Sequence, residues 1–195
     1  MENSFIIDIS NFSLSYGSVQ LFNNFNLHVK KGECVGISGP TGTGKTSLLN
    51  KIVCDYIKIY KIAYVFQDNR LLEDISVKKN IMIPLKNILK KEECEKVTSD
   101  ILKLVNLEYK INNKTAFLSG GEHQRLNIAR AFAYGAACPC DILIMDEPFS
   151  AQDNANRSNL IKLTKKICEE NKITSLVVSY NRDDLIELCS YIVEL

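Results

Sequence analysis

Apolar residues in this chain follow two rhythms, and the places where one gives way to the other mark out its elements. Near the start, Ile7 and Ile9, then Phe12, Leu14 and Tyr16, recur at every second position among polar neighbours. That period predicts strands over Phe5–Tyr16 and Leu27–Lys30, with Asn23-Asn24 supplying turn chemistry and Lys31-Gly32 turning the chain onward. Short apolar runs come next, at Val35–Ile37, Lys61–Phe66, Cys140–Met145, Thr174–Ser179 and Tyr191–Leu195, the lengths expected of strands in a covered sheet. Between these runs the period stretches to that of a helix. Val97, Ile101, Leu104 and Val105 fall at i, i+4, i+7 and i+8, with Lys90–Lys96 as a solvated flank. Leu126, Ala129 and Ala133 share a face of a helix beginning after Gly121, Leu160–Glu170 is amphipathic, and Asp183–Cys189 makes a last helical turn or two. Strands alternating with helices predict an α/β protein with a mostly parallel sheet flanked by helices, preceded by a separate β part.

One stretch carries a chemistry in its spacing. Gly39-Pro40-Thr41-Gly42-Thr43-Gly44-Lys45-Thr46 satisfies G-x-x-x-x-G-K-[ST], the phosphate-cradling P-loop. Its context fits: an apolar run precedes it and a helix-compatible Thr46-Ser47-Leu48-Leu49 follows. Glycines let the backbone curl so that successive N–H groups point at phosphate oxygens, and the helix N-terminus adds its positive end. Lys45 would reach the β- and γ-phosphates of ATP, and the Thr46 hydroxyl would hold Mg²⁺. A glycine-rich turn with a surface lysine is the plainer alternative, and it leaves the motifs further down the chain unexplained.

Composition narrows the class. With 195 residues, 46% hydrophobic and 24% charged, the chain has the size and make-up of one globular domain. A net charge of +1 supplies no broad positive field, so nucleic acid is not an expected partner. No apolar run approaches the length of a membrane span, and the acidic, alternating N-terminus is not a signal peptide, so direct membrane insertion is not expected and the cytoplasm is. Seven cysteines without a repeated pair spacing suggest free thiols in a reducing compartment. His28 and His123 lie far apart, and neither reads as a metal ligand.

Four more motifs follow the P-loop in order. Gln67 ends the strand in VFQD, Leu118-Ser119-Gly120-Gly121-Glu122 precedes a helix, Ile142–Met145 runs into Asp146-Glu147, and Ser150-Ala151-Gln152-Asp153 comes shortly after. An Asp at a strand end can reach Mg²⁺ across from a P-loop, and Ser119-Gly120-Gly121 offers a second set of free N–H groups at a helix start, with Ser119 a good cap in any case. Taken together, these motifs strongly resemble the ATP-binding subunits of ABC transporters over almost the entire chain, LSGGE being the most specific element. The resemblance implies a P-loop NTPase core with an N-terminal antiparallel β part and a helical insert carrying LSGGE. The domain would be single, 1–195, with a helical subdomain at approximately 71–125 and no regulatory domain after Leu195. It assigns Asp146 to Mg²⁺ and Glu147 to the general base that polarises the attacking water. Gln67 would touch Mg²⁺ and sense the membrane partner, Tyr16 would stack on adenine, and Asp153 would lie at a dimer seam. Gly39 through Ser47 would bind one ATP, while Ser119, Gly120 and Gly121 would serve the ATP of a second cassette, identical or related, paired head to tail.

The same resemblance implies an integral-membrane permease as partner, with Leu71, Leu72, Ile75 and Val77 helping to form the groove for its coupling helix. The subunit would sit peripherally on the cytoplasmic face of the cell membrane. DEPFSAQD and LLEDISVKKNI look closest to importer subunits for small anions and organic nutrients. Two departures stand out. The segment between Lys45 and Gln67 is shorter than in most relatives, and Tyr180 stands where they have a histidine after the last core strand. A phenol donates one hydrogen bond but stays neutral near pH 7, so hydrolysis is expected to be slow with ATP binding largely intact. A non-transport ATP switch is therefore the alternative. ABC ATPases of DNA repair or translation are disfavoured, because no coiled-coil insert or second cassette is present.

Overall fold

Alternation of β-branched and aromatic residues draws out the first two elements, Phe5–Tyr16 (β1) and Val19–Lys30 (β2), which pair antiparallel. The computed structural model describes residues 5–68 and 70–195, with only the backbone of Tyr16. The hairpin turns at Gly17-Ser18, where Gly17 takes φ +58°, and not at Asn23-Asn24. That pair lies within one long β2 that replaces the short strand predicted at Leu27–Lys30. Asn24 at φ +49° and Asn11 at φ +54° occur where the β1–β2 register shifts, so the asparagines bend a continuous ribbon. Asparagine tolerates the left-handed conformation that such bulges need.

Beyond Lys31-Gly32 the chain alternates strand and helix. The elements are Cys34–Ser38 (β3), Lys45–Tyr56 (α1), Ile62–Val65 (β4), Val77–Leu85 (α2), Lys91–Leu104 (α3), Gly120–Ala137 (α4), Ile142–Asp146 (β5), Asn154–Asn171 (α5), Thr174–Val178 (β6), Arg182–Leu188 (α6) and Tyr191–Glu194 (β7). The five later strands form one parallel sheet in the order β4-β5-β6-β3-β7. Every residue of β5 and β6 is buried, and period-two alternation divides them between two cores. Ile142 and Ile144 face a cluster with Ile7, Val29, Leu48 and Ile52, whereas Leu143 and Met145 face Leu126, Phe132, Phe149 and Leu160. The sheet is thus sandwiched between α1 with the β1–β2 ribbon and the remaining helices.

In α3 the buried seam is Cys94, Thr98, Ile101 and Leu102, while Leu104 is 52% exposed. Of the apolar face read from Val97, Ile101, Leu104 and Val105, Ile101 and Val105 are buried and Val97 packs against the core, and Leu104 alone of the four turns outward. Thr98 takes a core place, which turns the seam away from Leu104 by about 100° around the helix. No helix among the described residues is long and apolar enough to cross a membrane.

A buried amide fixes the layer of α2 to the loops beside it. Asn80, 2% exposed, accepts from the Leu72 N–H at 2.9 Å and donates to the Leu72 carbonyl at 2.9 Å and to Thr115 Oγ1 at 2.8 Å. Asn80→Leu keeps the volume and strands those partners without water. It should lower stability by about 2–4 kcal/mol, read as a drop in the urea midpoint with an unchanged slope.

Candidate functional site

Parallel strands deliver all their carboxyl ends to one edge of the sheet. Register places Ile37 of β3 and Asp146 of β5 on either side of Val178 of β6, so the loop after β3, the end of β5 and the turn after β6 converge. The loop from Gly39 to Gly44 needs its glycines: Gly39 at φ +156° would drive a Cβ to 2.7 Å from the Leu195 carbonyl, and Gly44 at φ +94° would meet the Phe22 ring at 2.8 Å. Lys45 opens α1 and is 6% exposed, and its Nζ donates to the carbonyls of Gly39 at 2.7 Å and Pro40 at 2.8 Å. Thr46 Oγ1 donates to Asp146 Oδ2 at 3.0 Å. That is about the spacing of two neighbouring ligands on one small octahedral cation, so this pair fits Mg²⁺. No group of three His, Cys, Asp or Glu able to hold a metal occurs among the described residues. A Mg²⁺ site completed by substrate phosphates does not need one.

Glu147 follows β5 at φ +50°, a left-handed conformation uncommon for a glutamate, and its N–H donates to the Val178 carbonyl at 3.0 Å. The Gln124 amide and the Ser150 hydroxyl both donate to its carbonyl, at 3.1 and 3.2 Å. The side chain is buried, and Oε1 has no hydrogen-bond partner. Burial pushes the Glu147 carboxyl up to about 7, the Asp146 charge adds to the rise, and the Tyr180 N–H and the Lys45 charge pull the other way. Burial also raises Asp146, against the pull of the Thr46 hydroxyl and Lys45. An orphaned carboxylate oxygen at half charge near neutral pH is what a general base for water requires.

Tyr180 stands directly over this cluster. Its ring centre lies 4.5 Å from Lys45 Nζ, and its hydroxyl accepts from Thr41 Oγ1 at 3.5 Å, while the side chain remains 54% exposed. Gln67 emerges exposed from β4, the strand next to β5. Its exit is held by α4, where Asn127 Nδ2 donates to the Phe66 carbonyl at 2.8 Å and Arg130 Nη1 to the Arg70 carbonyl at 2.7 Å.

Ser119, Gly120 and Gly121 sit at the opposite end of α4. Ser119 caps it, accepting from the Glu122 N–H at 3.3 Å while Glu122 Oε2 accepts from the Ser119 N–H at 2.8 Å, a reciprocal capping box. Among the described residues no hydrogen bond joins these three to the P-loop. They are tied instead to the loop before α5, since the buried Gln152 donates to the Gly121 carbonyl at 2.8 Å and accepts from Arg125 at 3.2 Å. Sequence reasoning missed Gln152, which stands beside Asp153 in SAQD but carries no signal of its own. Asp153 itself is exposed and caps α5 by accepting from the Asn156 N–H at 3.0 Å.

Two hollows adjoin the site. One of about 400 Å³ lies beside Gly42 and Thr43 and is walled by Val19, Leu21, Phe22 and Phe25; the side chain of Tyr16, expected on adenine, falls outside the described residues. The other, about 500 Å³, is a groove lined by Val53, Ile57, Tyr64, Phe66, Pro84 and Tyr134. None of Leu71, Leu72, Ile75 and Val77 lines it. Val77, the first residue of α2, is buried in the core and Leu71 packs against it, whereas Leu72 is exposed.

The ABC transporter family model matches residues 22–150. The chain is 34% identical over 211 residues to the sulfate/thiosulfate import ATP-binding protein CysA of Halalkalibacterium halodurans, covering 96% of this chain and 58% of that protein. It is 32% identical over 192 residues to the thiamine import ATP-binding protein ThiQ of Photorhabdus laumondii, covering 88% and 80%. The chain therefore spans little more than half the length of the sulfate relatives. Among solved structures, a dimeric ATP-binding cassette in a post-hydrolysis state bound to ADP and Pi matches with a TM-score of 0.84 at 29% identity, over 96% of this chain and 93% of that one. A second dimeric structure, of a bacterial ABC transporter cassette, matches with a TM-score of 0.85 at 30% identity and the same coverage.

The elevated Glu147 carboxyl has a consequence for stability. Its value of about 7 lies above the ordinary 4.5, so the folded protein binds more protons than the unfolded chain between those limits, and stability falls as pH rises through them. Glu147→Gln removes that penalty. The variant should gain about 2 kcal/mol on the wild type between pH 5 and pH 8, measured by urea unfolding at the two pH values.

Proposed function

This chain belongs to the ABC transporter family, and from that premise we propose that it is the ATP-binding and ATP-hydrolysing subunit of an importer-type transporter. The observation that carries the reading is the gathering of Lys45, Thr46, Asp146 and the orphaned Glu147 carboxylate at one sheet edge. Backbone N–H groups of Gly39–Ser47 bind the phosphates, and Lys45 moves from its two carbonyl partners to the β- and γ-phosphates. Thr46 and Asp146 would hold Mg²⁺, with Gln67 a further contact, and the ion would neutralise phosphate charge. Glu147 accepts a proton from the water that attacks the γ-phosphorus, giving ADP and phosphate. The hollow beside Gly42 and Thr43 suits the adenosine, with Tyr16 against the base.

Two copies close head to tail. Ser119, Gly120 and Gly121 present a helix N-terminus that lies apart from the chain's own P-loop, and this supports its use on the triphosphate held by a partner cassette. The dimeric state of both matching cassettes supports the same arrangement. The groove beside Phe66 and Tyr134 receives a helix of the membrane permease, and α4 links that groove to the Ser119 corner. The solute is chosen by the permease, and the named relatives suggest small anions or organic nutrients. The subunit would thus sit on the cytoplasmic face of the membrane without entering it.

With Mg-ATP, Glu147→Gln should sediment as a dimer and lose at least about 100-fold in ATPase rate. A variant that stays monomeric at saturating Mg-ATP overturns the reading.

The contact of Tyr180 with Lys45 favours a second reading, an ATP switch that turns over too slowly to drive flux. A neutral phenol brings no cationic form to the γ-phosphate. Tyr180→His should raise kcat by about tenfold or more with KM little changed; no gain in rate would show that Tyr180 is not what limits turnover.

A further inference from the structure

At the end of the sheet remote from the P-loop, three cysteines share one hollow. Cys34 begins β3, Cys189 caps the C-terminus of α6, and Cys168 lies on α5; together with Gly32, Lys165 and Ser190 they line a cavity of about 240 Å³. Cys34 and Cys189 are in sulfur contact at 3.5 Å. Their backbones are locked together, since the Ser190 N–H donates to the Cys34 carbonyl at 2.7 Å. Gly36 leaves room for the Cys189 sulfur, which an added Cβ there would approach to 3.3 Å. We propose that Cys34 and Cys189 form a thiol–disulfide redox site, oxidised by hydroperoxides, in which Cys34 reacts first and Cys189 resolves it.

The surroundings divide the roles. The hydrogen bond with Cys189 holds the Cys34 thiol below its ordinary range against the rise that burial imposes, helped by the Ser175 hydroxyl and the Lys165 charge, and the same bond together with burial drives Cys189 up. Ser175, the register partner of Cys34 on β6, turns its buried hydroxyl to both Cys34 and Cys168. Burial pushes Cys168 up to about 12, which leaves it protonated and a poor competitor. The thiolate is the reactive form, and the cavity gives a molecule of peroxide size access to it. The Cys34 thiolate attacks one peroxide oxygen, the O–O bond breaks, and the departing hydroxide takes up a proton, leaving a sulfenic acid. The Cys189 sulfur then attacks that sulfur, the S–O bond breaks, and water leaves with the Cys189 proton. Two thiols and one hydrogen peroxide become one disulfide and two waters. The sulfurs must close from 3.5 Å to about 2.05 Å, a movement that side-chain rotation can supply. Transient disulfides of this kind are the ones a reducing compartment permits.

The test is peroxide titration of the reduced full chain at pH 7, followed by alkylation and peptide mass spectrometry. A linked Cys34–Cys189 peptide, lighter by two hydrogens and reversed by dithiothreitol, should appear before the exposed Cys54 is oxidised. In Cys189→Ser the linked peptide should vanish and Cys34 should be trapped by dimedone as the sulfenic acid. Oxidation of Cys54 ahead of Cys34, or a Cys34–Cys168 link as the main product, overturns the proposal, and the wild-type map alone decides it should the variant fail to fold.

Discussion

Two buried carboxylates side by side are the constraint around which the sheet edge is organised. Asp146 is 3% exposed and Glu147 5% exposed, and removing both from water is tolerable only where their charge is compensated or suppressed. The molecule does both. Burial raises Asp146 and the Thr46 hydroxyl and Lys45 offset part of that rise, while Glu147 shares its site with a proton near neutral pH. The two supports come from the start of α1 and the two acids from the end of β5, with β6 between their strands. Any slip of register between β3, β6 and β5 would part the charges, so the dry, wholly buried strands are what hold the chemistry in place.

Helix α4 gives that edge its reach. One of its ends carries the Ser119 cap and the Gln152 tie, its middle supplies the Gln124 bond to the Glu147 carbonyl, and further along Asn127 and Arg130 hold the backbone on either side of Gln67. One rigid helix is thus bonded to all of these segments. The Arg70 guanidinium packs 4.0 Å from the Phe66 ring, itself stacked on Tyr64 at 4.1 Å, so the wall of the large groove is built from the same segment that positions Gln67.

What could be read in the sequence was whatever chemistry is local in the chain. The P-loop, the Asp146-Glu147 pair and the Ser-Gly-Gly corner each occupy a handful of adjacent residues, and the buried strands announce themselves as apolar runs. Long-range polar ties have no such signature. Asn80, Asn127 and Gln152 are single amides that also bond backbone groups 8, 61 and 31 positions away, and no periodicity distinguishes them from surface residues. Thr98 misled the reading of α3 for a related reason, since a threonine in a core seam looks polar to a hydrophobic pattern. Asn23-Asn24 misled it differently: the left-handed backbone that asparagine tolerates serves a bulge as readily as a turn.

The position of Lys45 bears on what ATP must overcome. Its ammonium is held by two carbonyls at 2.7 and 2.8 Å and by the face of Tyr180 at 4.5 Å, contacts worth about 1.5–3 kcal/mol for each charged hydrogen bond and up to about 2 for a desolvated cation–π pair. Triphosphate offers the same ammonium full negative charges at the same range, so exchange remains favourable, but the ring must yield for the lysine to turn. A histidine at position 180, partly charged near neutral pH, would repel Lys45 and leave it free. The tyrosine instead gives the lysine a resting place against its ring face. If the chain works as the proposed ATPase subunit, that contact would act in the direction of slower cycling, through one side chain that leaves Asp146, Glu147 and the loop glycines untouched.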